Sequence, residues 1–148
     1  HCRLLPEIAS VRIILDTNIL VSATLYPKSL PGSALGLAAE GKIELFVSPF
    51  ILSELEIVLS SSKIGLGTGA VREALRVLKE VARVVEPQVQ VHAIPKNDAD
   101  NRILACAVEA KADVLVTGNM KDIRPLGKFQ GIEILTPREF LERYFPGR

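Results

Sequence analysis

Three carboxylates in this chain stand where a carboxylate is costly. Asp16 closes the apolar run VRIIL. Glu54 lies in SPFILSELEIVL with Phe50, Ile51, Ile57 and Val58 at offsets of three and four, so on a helix it shares an apolar face. Asp100 has Ile103 and Leu104 at the same offsets. A buried, unpaired carboxylate is strongly disfavoured and tends to protonate, and several on one spot raise the cost further. A cation between them removes the conflict, and a set of oxygen donors suits a hard divalent ion, Mg²⁺ or Mn²⁺. Each acid also has a plainer reading. Asp16 could cap a helix beginning near Asn18, Glu54 could snorkel to water, and Asp100 could decorate a first turn capped by Asp98. Thr117 and Asn119, in VTGN, could form an ordinary turn. His92 stands alone in an extended stretch and is not read as a ligand.

The elements that must position these residues decide between the readings. Val11–Leu15 is a short, nearly continuous apolar run, as in a strand covered on both faces. An Ala/Leu helix is expected over Ser33–Gly41, a second strand over Ile43–Val47, and a helix capped by Ser48 with Pro49 at its first position, running to Leu59. A polar, glycine-rich connection leads to an amphipathic helix over Ala70–Val81. Arg83–Glu86 reads as a third strand, Val89–Ile94 as extended chain, and Asp98–Lys111 as a deeply buried helix. Asp113–Thr117 and Ile132–Leu135 read as further strands. Thr136, Pro137 and Glu139 form a capping-box start for a last helix. Strands alternating with helices predict an α/β domain with a mainly parallel sheet and right-handed crossovers. Ligands of such sheets bind outside the carboxyl ends of the strands. Asp16, Glu54, Asp100, Thr117 and Asn119 all fall toward that edge, which favours the shared cation over separate accidents.

At 148 residues the chain suits one domain with one core. No apolar run reaches the roughly 18 residues of a membrane span. Cys2 and Cys106 form no C-x-x-C pair, which argues against paired-cysteine zinc ligation and a disulfide framework. Cys106, in ILACAVEA, reads as a small buried thiol. Free cysteines without a secretory signal point to the cytoplasm. A net charge of +1 leaves a nucleic-acid partner open, since a local patch can still be basic. Residues 1–10 are read as an N-terminal extension, with His1 a tag remnant, and 11–148 as the folded domain.

Taken in order, VRIILDTNILVSA, SPFILSELEIVL and DADNRILACAVEAKADVLVTGN resemble the acidic blocks of the PIN domain family over most of the chain from Val11 to Phe145. Each motif is short; their order and spacing give the resemblance its weight. It implies a three-layer α/β/α domain and a metal-dependent ribonuclease acting on single-stranded RNA, similar to the toxins of VapBC-type toxin–antitoxin pairs. It further implies a homodimer and an antitoxin protein as partner, with no membrane role. Asp16, Glu54 and Asp100 take the family's first three acidic positions, with Thr17 and Asn18 beside the first. Many members carry a fourth acid directly after Thr-Gly. Here that residue is Asn119, neutral but with a carbonyl oxygen, and Asp122 follows a turn later as a substitute. The resemblance implies Asp16, Asp100 and Glu54 as metal ligands, Asn119 as a catalytic companion, and Thr117, Asp98 and Asp122 in support. The rivals are a PIN domain that binds RNA or a protein without cleaving, and an aspartyl-phosphate enzyme with Asp16 as nucleophile. Against the second, the Asp expected two residues after the nucleophile is Asn18.

Overall fold

The computed structural model describes residues 10–147, so nearly all of the extension assigned to residues 1–10, Cys2 included, lies outside the described residues. The chain runs β1 (Arg12–Leu15), α1 (Thr17–Leu25), α2 (Leu30–Ala39), β2 (Glu44–Val47), α3 (Pro49–Leu59), α4 (Thr68–Val81), β3 (Ala82–Val84) and α5 (Asp98–Glu109). It continues through β4 (Val114–Val116), a 3-10 turn (Arg124–Leu126), β5 (Lys128–Phe129), β6 (Ile132–Leu135) and α6 (Pro137–Tyr144). The strands form one sheet in the order β3-β2-β1-β4-β6-β5. Every pairing is parallel except β5 with β6. This is the expected mainly parallel α/β fold in three layers.

The path across the sheet reverses once. The chain steps from β1 to β2 to β3, and α5 then carries it back to β4 on the other side of β1. Right-handed crossovers put α1 to α4 on one face and α5 on the other. The packing agrees: α1 lies against α2 and α3, α3 against α4, and α5 against β1 and β2. The reversal between β1 and β4 is a topological switch point, the place at which open α/β sheets generally bind their ligands. Ile13, Ile14 and Leu15 of β1 and Val114, Leu115 and Val116 of β4 have no exposure at all. That explains their continuous apolar runs. Each such side chain contributes about 1.5–3 kcal/mol by burial, which anchors the strands that carry the site.

The caps at Ser48 and at Thr136 with Glu139 form as expected. Other details differ. α2 begins at Leu30 rather than Ser33, because Ser29 caps it and Pro31 sits in its first turn. α5 is capped by Asn97, not Asp98. The β5–β6 hairpin was not expected; Gln130 and Gly131, at φ 49° and 82°, make its two-residue turn. Val89–Ile94 joins no strand among the described residues. Asn101 holds its end instead: Oδ1 accepts the Ile94 N–H at 2.9 Å, and Nδ2 donates to the Ile94 carbonyl at 2.7 Å. Among the described residues no helix is long and apolar enough to cross a membrane.

Candidate active site

The register of the two central strands sets the first contact. Leu15 pairs with Val116, and the Asp16 N–H donates to the Val116 carbonyl at 3.0 Å. The next residues on each strand, Asp16 and Thr117, therefore stand side by side at the carboxyl edge. Both are buried, at 3% and 0% exposure. The Thr117 hydroxyl donates to Asp16 Oδ2. Asp16 Oδ1 accepts the Ile19 N–H at 3.0 Å and so caps α1. The helix cap occupies one carboxylate oxygen and the Thr117 hydroxyl the other.

From Thr117 the network extends to α5. Thr117 Oγ1 accepts the Asn119 N–H at 2.9 Å. Asn119 Oδ1 accepts from the backbone N–H of Lys121 at 3.2 Å and of Asp122 at 2.9 Å. This Asx-type turn fixes the amide, and its Nδ2 donates to Asp100 Oδ2 at 3.2 Å. Asp100 itself is 8% exposed, and its N–H is held by Asn97 Oδ1 at 3.1 Å. Glu54 enters from α3, where its Oε1 accepts the Thr17 hydroxyl at 2.8 Å. One chain of bonds thus joins Asp16, Thr117, Asn119 and Asp100, and a second, starting at the adjacent Thr17, reaches Glu54.

The charges are coupled as well. Burial raises the pKa of Asp16 above its ordinary value, the Asp100 charge adds to this, and the Thr117 hydroxyl with the Ile19 and Gly118 N–H groups opposes it. Asp100 is raised by burial first and by the Asp122 charge next; the Asn119 amide opposes, and Glu54 adds the smallest part. Among the described residues no three acids, histidines or cysteines already converge as a finished metal cage. The donor chemistry still fits a hard divalent cation. All the donors are oxygens, two of the acids are disfavoured in their charged form, and the partners offsetting them are a neutral hydroxyl and a neutral amide. Asp16, Asp100 and Glu54 are the residues that could hold one.

The remaining candidates sort themselves by position. Thr17 and Thr117 belong to the network. Asn18 is exposed and has no side-chain hydrogen bond among the described residues. Asp98 is exposed and paired with Arg102 at 2.9 Å; helical spacing puts it on another face of α5 from Asp100. Asp122 is the acid whose charge acts most on Asp100. The sequence signal for this is NMKD, an Asx-turn asparagine with an acid three residues on. Cys106 is buried, and burial pushes its thiol up to about 12, which leaves it inert.

Known proteins show the same arrangement of elements. The sequence pattern of the PIN domain matches residues 12–121, a span that includes Asp16, Glu54, Asp100 and Asn119. An uncharacterized protein of Methanocaldococcus jannaschii is 28% identical over 148 residues, covering 93% of this chain and 94% of its own. The structure of VapBC2 from Rickettsia felis bound to a DNA fragment from its promoter is similar at a TM-score of 0.61 and 19% identity, over 84% of this chain and 97% of that one. The PIN domain endonuclease Utp24 is similar at a TM-score of 0.52 and 23% identity, over 84% of each chain. At such identities the two structures establish the fold.

Proposed function

The chain belongs to the PIN domain family, and from that membership and its coupled carboxylates we propose that it is a Mg²⁺- or Mn²⁺-dependent endoribonuclease cutting phosphodiester bonds of single-stranded RNA. The observation that carries this reading is the hydrogen-bonded line Asp16–Thr117–Asn119–Asp100 at the β1–β4 switch point, with Glu54 and Asp122 within its field. A divalent cation held by Asp16 and Asp100, with Glu54, would offset the charge of the scissile phosphate and acidify a water. The chain's own residues do the positioning. Thr117 holds the Asp16 carboxylate at the strand end. Asn119 aims Asp100 and brings Asp122 up through its turn. Glu54, fixed by Thr17, orients the attacking water. On this reading residues 11–148 form one nuclease domain working in the cytoplasm. The same reading makes the chain the toxin of a toxin–antitoxin pair, with a protein antitoxin as partner and a homodimer as the active form.

A second reading is favoured by one observation: the position after Thr117-Gly118 is the neutral Asn119, whose oxygen is engaged with backbone N–H groups. A PIN domain that binds RNA or a protein without cutting has no need of an acid there. End-labelled single-stranded RNA incubated with the chelator-treated chain, then with Mg²⁺ or Mn²⁺, separates the two. Cleavage that appears with metal and is lost in Asp16→Asn supports the nuclease. RNA bound but intact at every metal concentration supports the binding module.

A further inference from the structure

A groove of about 430 Å³ runs beside α5, within the range of about 300–1,000 Å³ usual for small-ligand sites. One wall is an α5 face carrying Asp98, Asn101 and Arg102. The other is the chain after β3, whose far end Asn101 pins through Ile94. Phe50 closes one end. It lies one helical turn ahead of Glu54 on the same side of α3; on α5, Asp98 and Arg102 lie in the same opening turns as Asp100 but on another face of the helix. The groove and the acid cluster therefore share the opening turns of α3 and α5.

The chemistry of the groove is specific. The Arg102 guanidinium sits over the Phe50 ring, 5.0 Å from its centre. Its Nε donates to Asp98 at 2.9 Å, and the Arg102 side chain is 58% exposed. This gives a flat, charge-balanced platform with an open surface. A phosphate finds no uncompensated cation there, and Glu86 on the lining repels it further. A planar ring finds a stacking partner, because both aromatic faces and guanidinium planes stack on unpaired bases. Gln90 and His92 also line the groove, are exposed, and make no side-chain hydrogen bond or ion pair with any described residue. Their polar groups are free to meet the edge of a base.

We propose that this groove is the subsite for one unpaired nucleobase of the substrate strand, flanking the phosphate at the acid cluster. The proposal rests on the nuclease reading and adds a base-recognition element, with Arg102 and Phe50 as the platform and Gln90 and His92 as readers of the base. Nitrogen-15 NMR of the chelator-treated full chain tests it, by titration with each of the four nucleoside 5′-monophosphates and with ribose 5-phosphate. The expected result is shifts at Gln90, His92 and Arg102 that differ among the bases and are absent with ribose 5-phosphate. In cleavage kinetics, Arg102→Ala and Gln90→Ala, both at exposed positions, should raise KM for single-stranded RNA by up to about tenfold, with a smaller effect on kcat. Shifts confined to the acid cluster, equal shifts with ribose 5-phosphate, or no shifts at millimolar nucleotide would overturn the subsite while metal-dependent cleavage still stood. Base-dependent shifts in a chain that cuts no RNA with either metal would overturn the nuclease reading, and with it the subsite's place on a substrate.

Discussion

Thr117 has one hydroxyl proton, and it goes to Asp16; the same oxygen accepts the Asn119 N–H. Valine keeps the shape and removes both bonds. In Thr117→Val the Asp16 carboxylate loses the donor that opposes its burial, so its pKa rises further and it binds a cation less well. Loss of such outer support costs about 10–100-fold in metal affinity or activity, readable by Mn²⁺ titration calorimetry. Thr117→Ser, which keeps the hydroxyl, should recover most of the loss. Equal affinities in all three proteins would show that the hydroxyl does not serve the site. Asn119→Asp acts in the opposite direction. It replaces a donor to Asp100 with a like charge, so the chelated protein should lose about 1–3 kcal/mol, while Mn²⁺ affinity should rise. Urea denaturation with and without metal measures both. A variant that is destabilised but binds Mn²⁺ no better would place Asn119 outside the cation's reach.

At the scale of elements, the Arg124–Glu139 pair joins the 3-10 turn to the first turn of α6 by two bonds, at 3.1 and 2.8 Å. The Arg124 hydrogen bond is the chief reason the Glu139 carboxyl falls from 4.5 to about 2. A lowered carboxylate pKa stabilises the fold above its unfolded value and loses that contribution as pH falls toward the folded one. Arg124→Met should therefore melt below the wild type at neutral pH, and the gap should close between about pH 4.5 and 2. A gap independent of pH would mean that packing, not the ion pair, is lost. The pair is partly exposed, so the effect is small. The central elements could be read from the chain because their residues obey one rule each. VRIIL is a nearly continuous apolar run and DVLVT has an apolar centre, both typical of a doubly covered strand, and Ser48-Pro49 and Thr136-Pro137 are helix starts. Asp16 and Asp100 could be read because each is a buried acid among apolar neighbours; Glu54 is only half-buried and Ile57 is 67% exposed, so α3 buries Ile51, Leu55 and Leu59 and the expected buried face for Glu54 does not form. What stayed hidden depends on partners distant in sequence. The Asn119 amide finds its direction only through the turn at Lys121 and Asp122. Asn101 resembles any helical asparagine until Ile94 lies against it. β5 is two residues long, too short for alternation to mark it.

For the molecule as a whole, the acid cluster is a local cost tolerated by a well-buried sheet. Asp16 and Asp100 both have pKa values raised above 3.8. Raised carboxylate pKa values favour the folded state below the unfolded value and lose that advantage as pH climbs through the folded values. Chelator-treated Asp16→Asn and Asp100→Asn proteins should therefore be more stable than wild type at neutral pH and converge with it near pH 3.8 and below. Denaturant midpoints across that range check the sign; variants less stable at every pH would contradict it. Mn²⁺ should stabilise the wild type by mass action, about 2.7 kcal/mol at a hundred times its Kd, and should leave Asp16→Asn nearly unchanged. Anomalous diffraction from a Mn²⁺-soaked crystal tests the central claim, a divalent cation at the β1–β4 switch point, most directly. The expected result is a peak bonded to carboxylate oxygens of Asp16 and Asp100, at close to the roughly 2.1 Å of Mg²⁺–oxygen bonds, with Glu54 or Asp122 in its surroundings. Manganese bound only elsewhere, or no peak at millimolar Mn²⁺ with the cluster open to solvent, would contradict it.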